Sequence, residues 1–192
     1  MIQKTTKPLY ILADANIIIE IHRLGIWKQF TGQCRIATTE YIVQNEALFF
    51  RSNFGNIEID VHEYIDNGSV ITLSASANDL AVIYDKFEAA FLEPVDSGEL
   101  EALSLILSNK ISGALFCTAD GPAIEALAMI GKSAAGISLE KVFEKTGFSK
   151  SSGRLRHEYQ EMFFQKHLGI GKQNFVTHFG LKPAKKHKSI QP

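Results

Sequence analysis

Five residues of strand character, Leu9 to Ala13, run directly into Asp14, and Ile17-Ile18-Ile19 follow in a pattern that continues as helix. A strand that ends on an acid and turns at once into a helix leaves few folds open. An open parallel sheet gathers its chemistry outside the carboxyl ends of its strands, where the loops leave room for a ligand. A carboxylate at that point is fixed by a buried strand and still faces a cleft. Asp14 is therefore read as the first of several acids converging on a divalent metal ion.

The rest of the chain alternates in the same way. Asn16 to Leu24 reads as a helix stopped by Gly25, and Ile26 to Phe30 as a short second helical piece. Cys34 to Ala37 is a strand, followed by a helix capped by Thr38 or Thr39 and running to about Phe50. Gly55, Asn56 and Asn67-Gly68 punctuate residues 53–67 as a loop or small hairpin, and Val70 to Leu73 is a short strand. Asn78 or Asp79 opens a helix, Pro94 ends the connection after it, and Asp96 caps the next helix. Ala114 to Thr118 is a buried strand leading to Asp120, with Pro122 in the first turn of the helix that follows. Ser133 to Gly136 reads as a last strand, and Ser138 caps a helix to Thr146. Strands alternating with helices predict an α/β fold around a mostly parallel sheet.

Three segments are expected. Residues 1–148 form the main domain. Residues 149–181 form a helical extension, in which Ser149–Gly153 is a linker, a helix ends at Gly169 and Asn174–Phe179 is unassigned. Residues 182–192, with four lysines and two prolines, form a basic disordered tail. Charge divides along the same line. Through Phe148 there are 11 Lys/Arg and 19 Asp/Glu, a balance of −8; from Ser149 on there are 9 against 2, a balance of +7. That asymmetry suits an anionic partner, or an extension that docks on its own body. No run approaches a membrane span, and residues 1–7 make a poor secretory signal, so a cytoplasmic protein with no membrane partner is expected. Cys34 and Cys117 stand in apolar strand contexts without metal spacing and read as buried thiols.

Asp14, Glu46, Glu99 and Asp120 stand out by position. Asp14 and Asp120 follow apolar strands, which a parallel sheet delivers to one edge; Glu46 and Glu99 lie on helices able to face that edge. Unpaired carboxylates sharing a cleft raise one another's pKa unless a cation sits among them. Oxygen donors without His or Cys favour Mg²⁺ or Mn²⁺. Blander readings stay open beside this one. Asp14 and Asp120 also serve as helix N-caps, and Glu46 reads as a solvated helix acid with Glu40 as a nearby competitor. Glu99 and Glu101 are ~200° apart on a helix, so at most one faces the cleft. Asp96 is assigned the cap and Glu99 the metal, with Asp96 still open as the ligand. Asn16 stands between cap and site residue. Trp27, Phe49 and Phe50 read as core or as a dimer surface.

Leu12-Ala13-Asp14-Ala15-Asn16 resembles the opening motif of PIN-domain ribonucleases, such as VapC-type toxins, and Ile42-Val43-Gln44-Asn45-Glu46 resembles their second acidic motif. Asp96-Ser97-Gly98-Glu99-Leu100-Glu101-Ala102-Leu103 is similar to the acidic pattern of one branch of the family, and Phe116-Cys117-Thr118-Ala119-Asp120 to its strand-T-x-D motif. Order and spacing agree over about residues 9–147. The family usually stops near Thr146, and many members carry a further acid where Gly121 and Pro122 stand here. The resemblance implies a PIN-like three-layer fold over about residues 9–147, and the helical extension beyond it has no counterpart in the family. It implies a Mg²⁺- or Mn²⁺-dependent endoribonuclease with Asp14, Glu46, Glu99 and Asp120 as the acidic set and Asn16 beside them. An RNA substrate, a small antitoxin partner and a homodimer belong to the same expectation. The rival is a non-catalytic module of the same fold that binds RNA or a protein through its basic C-terminal part. A phosphatase of the haloacid-dehalogenase type, with Asp14 as nucleophile, needs a second aspartate where Asn16 stands.

Overall fold

Alternation within each strand decides which helices lie on which side of the sheet. The computed structural model describes residues 8–46, 49–52 and 55–183. Ile11 and Ala13 of β1 (Leu9–Ala13) point to one core and Tyr10 and Leu12 to the other, as the two-residue period of a strand requires. β2 (Cys34–Thr39) and β6 (Leu115–Cys117) divide the same way, with Ile36 and Cys117 on the first side and Ala37 and Phe116 on the second. With β5 (Val70–Leu73) and β7 (Gly136–Ile137) they make one five-stranded sheet, ordered β5-β2-β1-β6-β7, in which every neighbouring pair is parallel. Both faces of such a sheet must be covered.

The first face is covered by α1 (Ala15–Arg23), α2 (Trp27–Thr31) and α9 (Leu139–Thr146), through Ile17, Ile18, Ile21, Phe30 and Phe143. The second is covered by α5 (Ala77–Lys86), α7 (Ser97–Leu107) and α8 (Gly121–Met129), through Ile83, Leu100, Leu103, Ala126 and Leu127. The short helices α3 (Glu40–Asn45), α4 (Val61–Asp66), α6 (Ala89–Leu92) and α10 (Ser149–Ser152) complete the connections. Cys34 and Cys117 are buried and free. Among the described residues no helix is long and apolar enough to cross a membrane.

Several elements differ from the sequence-based expectation. The helix after β2 ends at Asn45 rather than near Phe50, and Phe49–Ser52 becomes β3, paired antiparallel with β4 (Gly55–Glu58). Phenylalanine favours strands, and Phe50 packs against the first core beside His22, with ring centroids 6.5 Å apart. Phe49 is exposed, while Trp27 is buried against His22 at 4.5 Å. Residues 53–67 hold the β4 strand and the α4 helix, so the hairpin is joined by an element that was not expected. Ser76 caps α5, and Asp79, expected as a start, instead returns a bond to the Ser76 amide. Ser133–Ala135 is a 3-10 turn and the last strand begins at Gly136.

Beyond Phe148, Ser149–Ser152 is helical rather than a linker. A final helix, α11 (Glu161–Thr177), passes through Gly169, where it was expected to stop. Gly171 is the reason it can lie on α8: a Cβ at that position would collide with the carbonyl oxygen of Glu125. Phe164 and Leu168 of α11 bury against Ile124 and Ala128 of α8, each burial contributing roughly 1.5–3 kcal/mol. The chain then pairs with the segment between α5 and α6, where Leu181 bridges Phe87. The Gly180 carbonyl accepts from the Glu88 amide, and the Lys182 amide donates to Lys86. Lys182, expected in a disordered tail, is thus paired, and the remainder of that expectation, residues 184–192, lies outside the described residues.

Candidate functional site

Three helices begin at the carboxyl edge of the sheet, and an aspartate caps each: Asp14 for α1, Asp96 for α7 and Asp120 for α8. Their positive dipole ends face one rim and favour negative charge there. Asp14 sits one residue past β1, where its amide still donates to Cys117 of β6 at 3.1 Å. Its side chain is buried at 1% exposure. Oδ1 accepts from the Ala15 amide at 2.7 Å, and Oδ2 accepts from Asn16 Nδ2 at 3.3 Å. The cap and site readings of Asp14 are therefore both compatible with one residue, each using a different oxygen. Asn16 is exposed and touches the site through this one contact.

Thr118, one residue past β6, is the centre of the arrangement. Its hydroxyl lies 3.1 Å from Asp14 Oδ2 and 3.2 Å from Glu99 Oε1, and it accepts from the Asp120 amide at 3.1 Å. A hydroxyl has one hydrogen to give. Both carboxyl contacts are satisfied together when Glu99 keeps its proton and donates to the threonine oxygen, while the threonine donates to Asp14. Electrostatics agree: burial raises the Glu99 pKa, and the charges of Asp14 and Asp120 raise it further. Asp14 is also raised, chiefly by burial and then by Glu46 and Asp120, against the bonds from Ala15 and Thr118.

The other acids border this pair. Glu99 Oε2 reaches back to the Asp96 amide at 3.3 Å, so Glu99 serves the start of α7 while facing the site. Asp120 Oδ1 accepts from the Ala123 amide at 2.8 Å. Burial raises its pKa and the charge of Asp96 adds to the rise, opposed by that bond and, when protonated, by His167. Glu46 is not within the helix but at the C-cap of α3, half-buried, and accepts from the Gly98 amide at 3.2 Å. The approach is that close because Gly98 has no side chain; a Cβ would strike Ile42 and lie 2.7 Å from Glu46 Oε2. Burial raises Glu46 as well, with Asp96 and Glu101 adding to the effect. The competitors are engaged elsewhere: Glu40 accepts from the Ser74 hydroxyl, and Glu101 from the amides of Ala75 and Tyr41.

Asp14 and Glu99 thus share one hydroxyl, with Asp120 directly beside it and Glu46 acting on Asp14 through its charge. Among the described residues, no group of three or more His, Cys, Asp or Glu side chains is arranged to hold a metal ion. The donor set remains one of oxygen atoms, which suits a hard divalent cation. Thr118 belongs to the strand-T-x-D pattern but not to the expected site, and its signal was its place two residues before Asp120. Comparison of the chain with models of known families, with curated proteins and with solved structures finds no match.

Proposed function

We propose that the chain is a Mg²⁺- or Mn²⁺-dependent endoribonuclease with a PIN-like fold. The observation that carries this reading is the Asp14–Thr118–Glu99 arrangement, in which buried carboxyls meet with the negative charges of Glu46 and Asp120 bearing on Asp14. Carboxylates so placed repel one another and are held partly protonated unless a cation joins them. Asp14, Glu99 and Asp120, with Glu46 at the border, are the residues that would hold the ion. When bound, such an ion offsets their repulsion and stabilises charge on a phosphodiester during hydrolysis. This chain's own contribution is to fix the Asp14 carboxyl through the Ala15 amide, to orient Thr118 through the Asp120 amide, and to exclude water from Glu99 by burial.

The test is cleavage of a mixed RNA panel in Mn²⁺ by the intact chain and by Asp14→Asn. The substitution is expected to lower cleavage by about 100-fold or more, as loss of a charge-stabilising group does. Equal cleavage by the two proteins would sink the assignment of the site. RNA bound but left uncut by the intact chain would favour the non-catalytic module.

A further inference from the structure

Between α3, α5 and α7 lies a cavity of about 500 Å³ that the metal reading does not use. Glu40 and Tyr41 of α3, Leu80 and Tyr84 of α5, and Leu100 and Glu101 of α7 line it. Its two carboxylates are held in place by neutral donors. Glu40 accepts from the Ser74 hydroxyl and from Gln44 Nε2 at 3.1 Å. Glu101 accepts from the amides of Ala75 at 2.8 Å and Tyr41 at 3.3 Å. Among the described residues neither carboxylate pairs with a cation. Two rings stand open beside them, Tyr41 at 42% exposure and Tyr84 at 49%. Fixed carboxylates next to uncovered tyrosine rings suit a cationic side chain, because both attract its charge. Leu80 and Leu100 offer an apolar wall for its methylene stem.

The path of the chain brings such side chains to this place. After α11 the chain pairs with the end of α5. The Lys182 amide donates to the Lys86 carbonyl at 3.0 Å, and Lys182 Nζ donates to the Tyr84 carbonyl at 2.6 Å. The described residues end just beyond, at Pro183. Residues 184–192 carry Lys185, Lys186 and Lys188 and no acid. The two carboxylates lie toward the opposite end of α5, bonded to Ser74 and Ala75. The rise from Ala75 to Lys86 is about 16 Å at helical spacing. An extended chain from Lys182 to Lys188 spans about 20 Å. The lysines are therefore within reach of both carboxylates.

We propose that residues 184–192 dock on the cleft between α3, α5 and α7, with their lysines on Glu40 and Glu101 and beside the rings of Tyr41 and Tyr84. Attachment at Lys182 makes the contact intramolecular. The segment is then present at an effective concentration on the order of millimolar, so that individually weak surface ion pairs hold it. The cleft adjoins the acidic rim through α7, and the charge of Glu101 is one of those that bear on Glu46. A lysine seated on Glu101 thus lowers the negative charge felt at the rim. The proposal does not depend on the ribonuclease reading.

The experiment is carbodiimide cross-linking of the full chain, which joins a lysine amine to a carboxylate in contact with it, read by mass spectrometry of the monomeric product. Links from Glu40 or Glu101 to Lys185, Lys186 or Lys188 are expected at low salt. They are expected to fade in 1 M salt, where the screening length falls to about 3 Å. Hydroxyl-radical labelling of tyrosines gives a second reading. Lys185→Gln, Lys186→Gln and Lys188→Gln together are expected to raise labelling of Tyr41 and Tyr84 about twofold to fivefold, the change that one surface ion pair makes in an equilibrium. Tyr64, packed against the first core on the other side of the sheet, is expected to be labelled equally in both proteins. Glu101→Gln, which keeps an oxygen for the Ala75 amide, is expected to act in the same direction, with the thermal midpoint checked for each protein. No link to residues 184–192, links from these lysines only to other carboxylates, or labelling of Tyr41 and Tyr84 equal in all three proteins would each overturn the proposal. Links formed only between copies, when isotope-labelled and unlabelled chains are mixed, would overturn it in favour of docking on a second molecule.

Discussion

Glu99 is a carboxyl that the folded chain holds neutral, and this has a measurable sign. Its pKa is raised by burial and then by Asp14 and Asp120. The folded state therefore holds a proton that the unfolded state gives up over the range between the ordinary glutamate value and the raised one. Over that range stability falls as pH rises. The metal-free chain is thus expected to lose thermal stability progressively as pH rises from the ordinary glutamate value toward about 10. Glu99→Gln stays neutral and keeps an oxygen able to accept from the Asp96 amide. It is expected to raise the metal-free midpoint at neutral pH by roughly 2–4 °C, about 1 kcal/mol for a chain of this size, to flatten the fall with pH, and to abolish Mn²⁺-dependent cleavage. Thermal scans across pH with EDTA read the first two outcomes and the RNA panel the third. At this scale the sequence was informative wherever the geometry is local. Asp14 and Asp120 stand at strand-to-helix junctions whose direction follows from neighbouring residues. Thr118 was harder to find, because its part depends on Asp14 and Glu99, which are 104 and 19 residues away.

At the scale of elements, the pairing of α11 with α8 turns on the backbone approach at Gly171. Gly171→Ala places a methyl against the Glu125 carbonyl, a backbone atom that cannot step aside without moving the helix. It is expected to destabilise the protein by about 1–3 kcal/mol, the usual cost of overpacking, as measured by urea denaturation. Gly169→Ala, on the exposed side with nothing within 4 Å of the added carbon, is expected to be neutral or slightly stabilising, since alanine favours helix over glycine. The same pair explains a misreading. Gly169 looks like a stop signal in the sequence, yet the helix passes through it, because tertiary contacts with α8 outweigh the roughly 1 kcal/mol that a glycine costs. Phe49–Ser52 show the opposite case, residues expected to close a helix that form β3, where the strand preference of phenylalanine and the place Phe50 finds beside His22 agree. The parallel sheet was legible because each buried strand is short, apolar and bounded, whereas the ends of α3 and α11 were set by residues far off in the sequence.

At the scale of the whole molecule, an acidic body and a basic extension meet at one buried ion cluster. Glu20 of α1 is fully buried and accepts from Arg23 at 2.6 and 2.7 Å and from Arg156 at 2.9 Å. Burial alone would raise its pKa, but the two guanidiniums outweigh burial and hold it below the ordinary range. A depressed carboxylate contributes stability above its unfolded pKa and loses it as pH falls through the folded one. Acid is therefore expected to loosen the extension, the opposite trend to that of Glu99. Glu20→Gln is expected to cost about 1.5–3 kcal/mol, the range for a hydrogen bond to a charged group. Hydrogen exchange should rise first around Leu155–Tyr159, and uniform exchange along the chain would show that the cluster is not what holds the extension. The charge division had allowed either docking on the body or an external anionic partner. Arg156 meets Glu20 by docking.

That the rim is built from residues 14–120 and bounded by residues 155–167 has a consequence for the newborn chain. Synthesis proceeds from the amino end, and folded regions can form as they emerge. The acids are made first, and Tyr159 and His167 follow only after every strand of the sheet has been made. A polypeptide still held in the ribosome tunnel at Phe148 has its carboxylates but neither Tyr159 against α1 nor His167 against α8. The rim can in this way be assembled before the segment that bounds it exists.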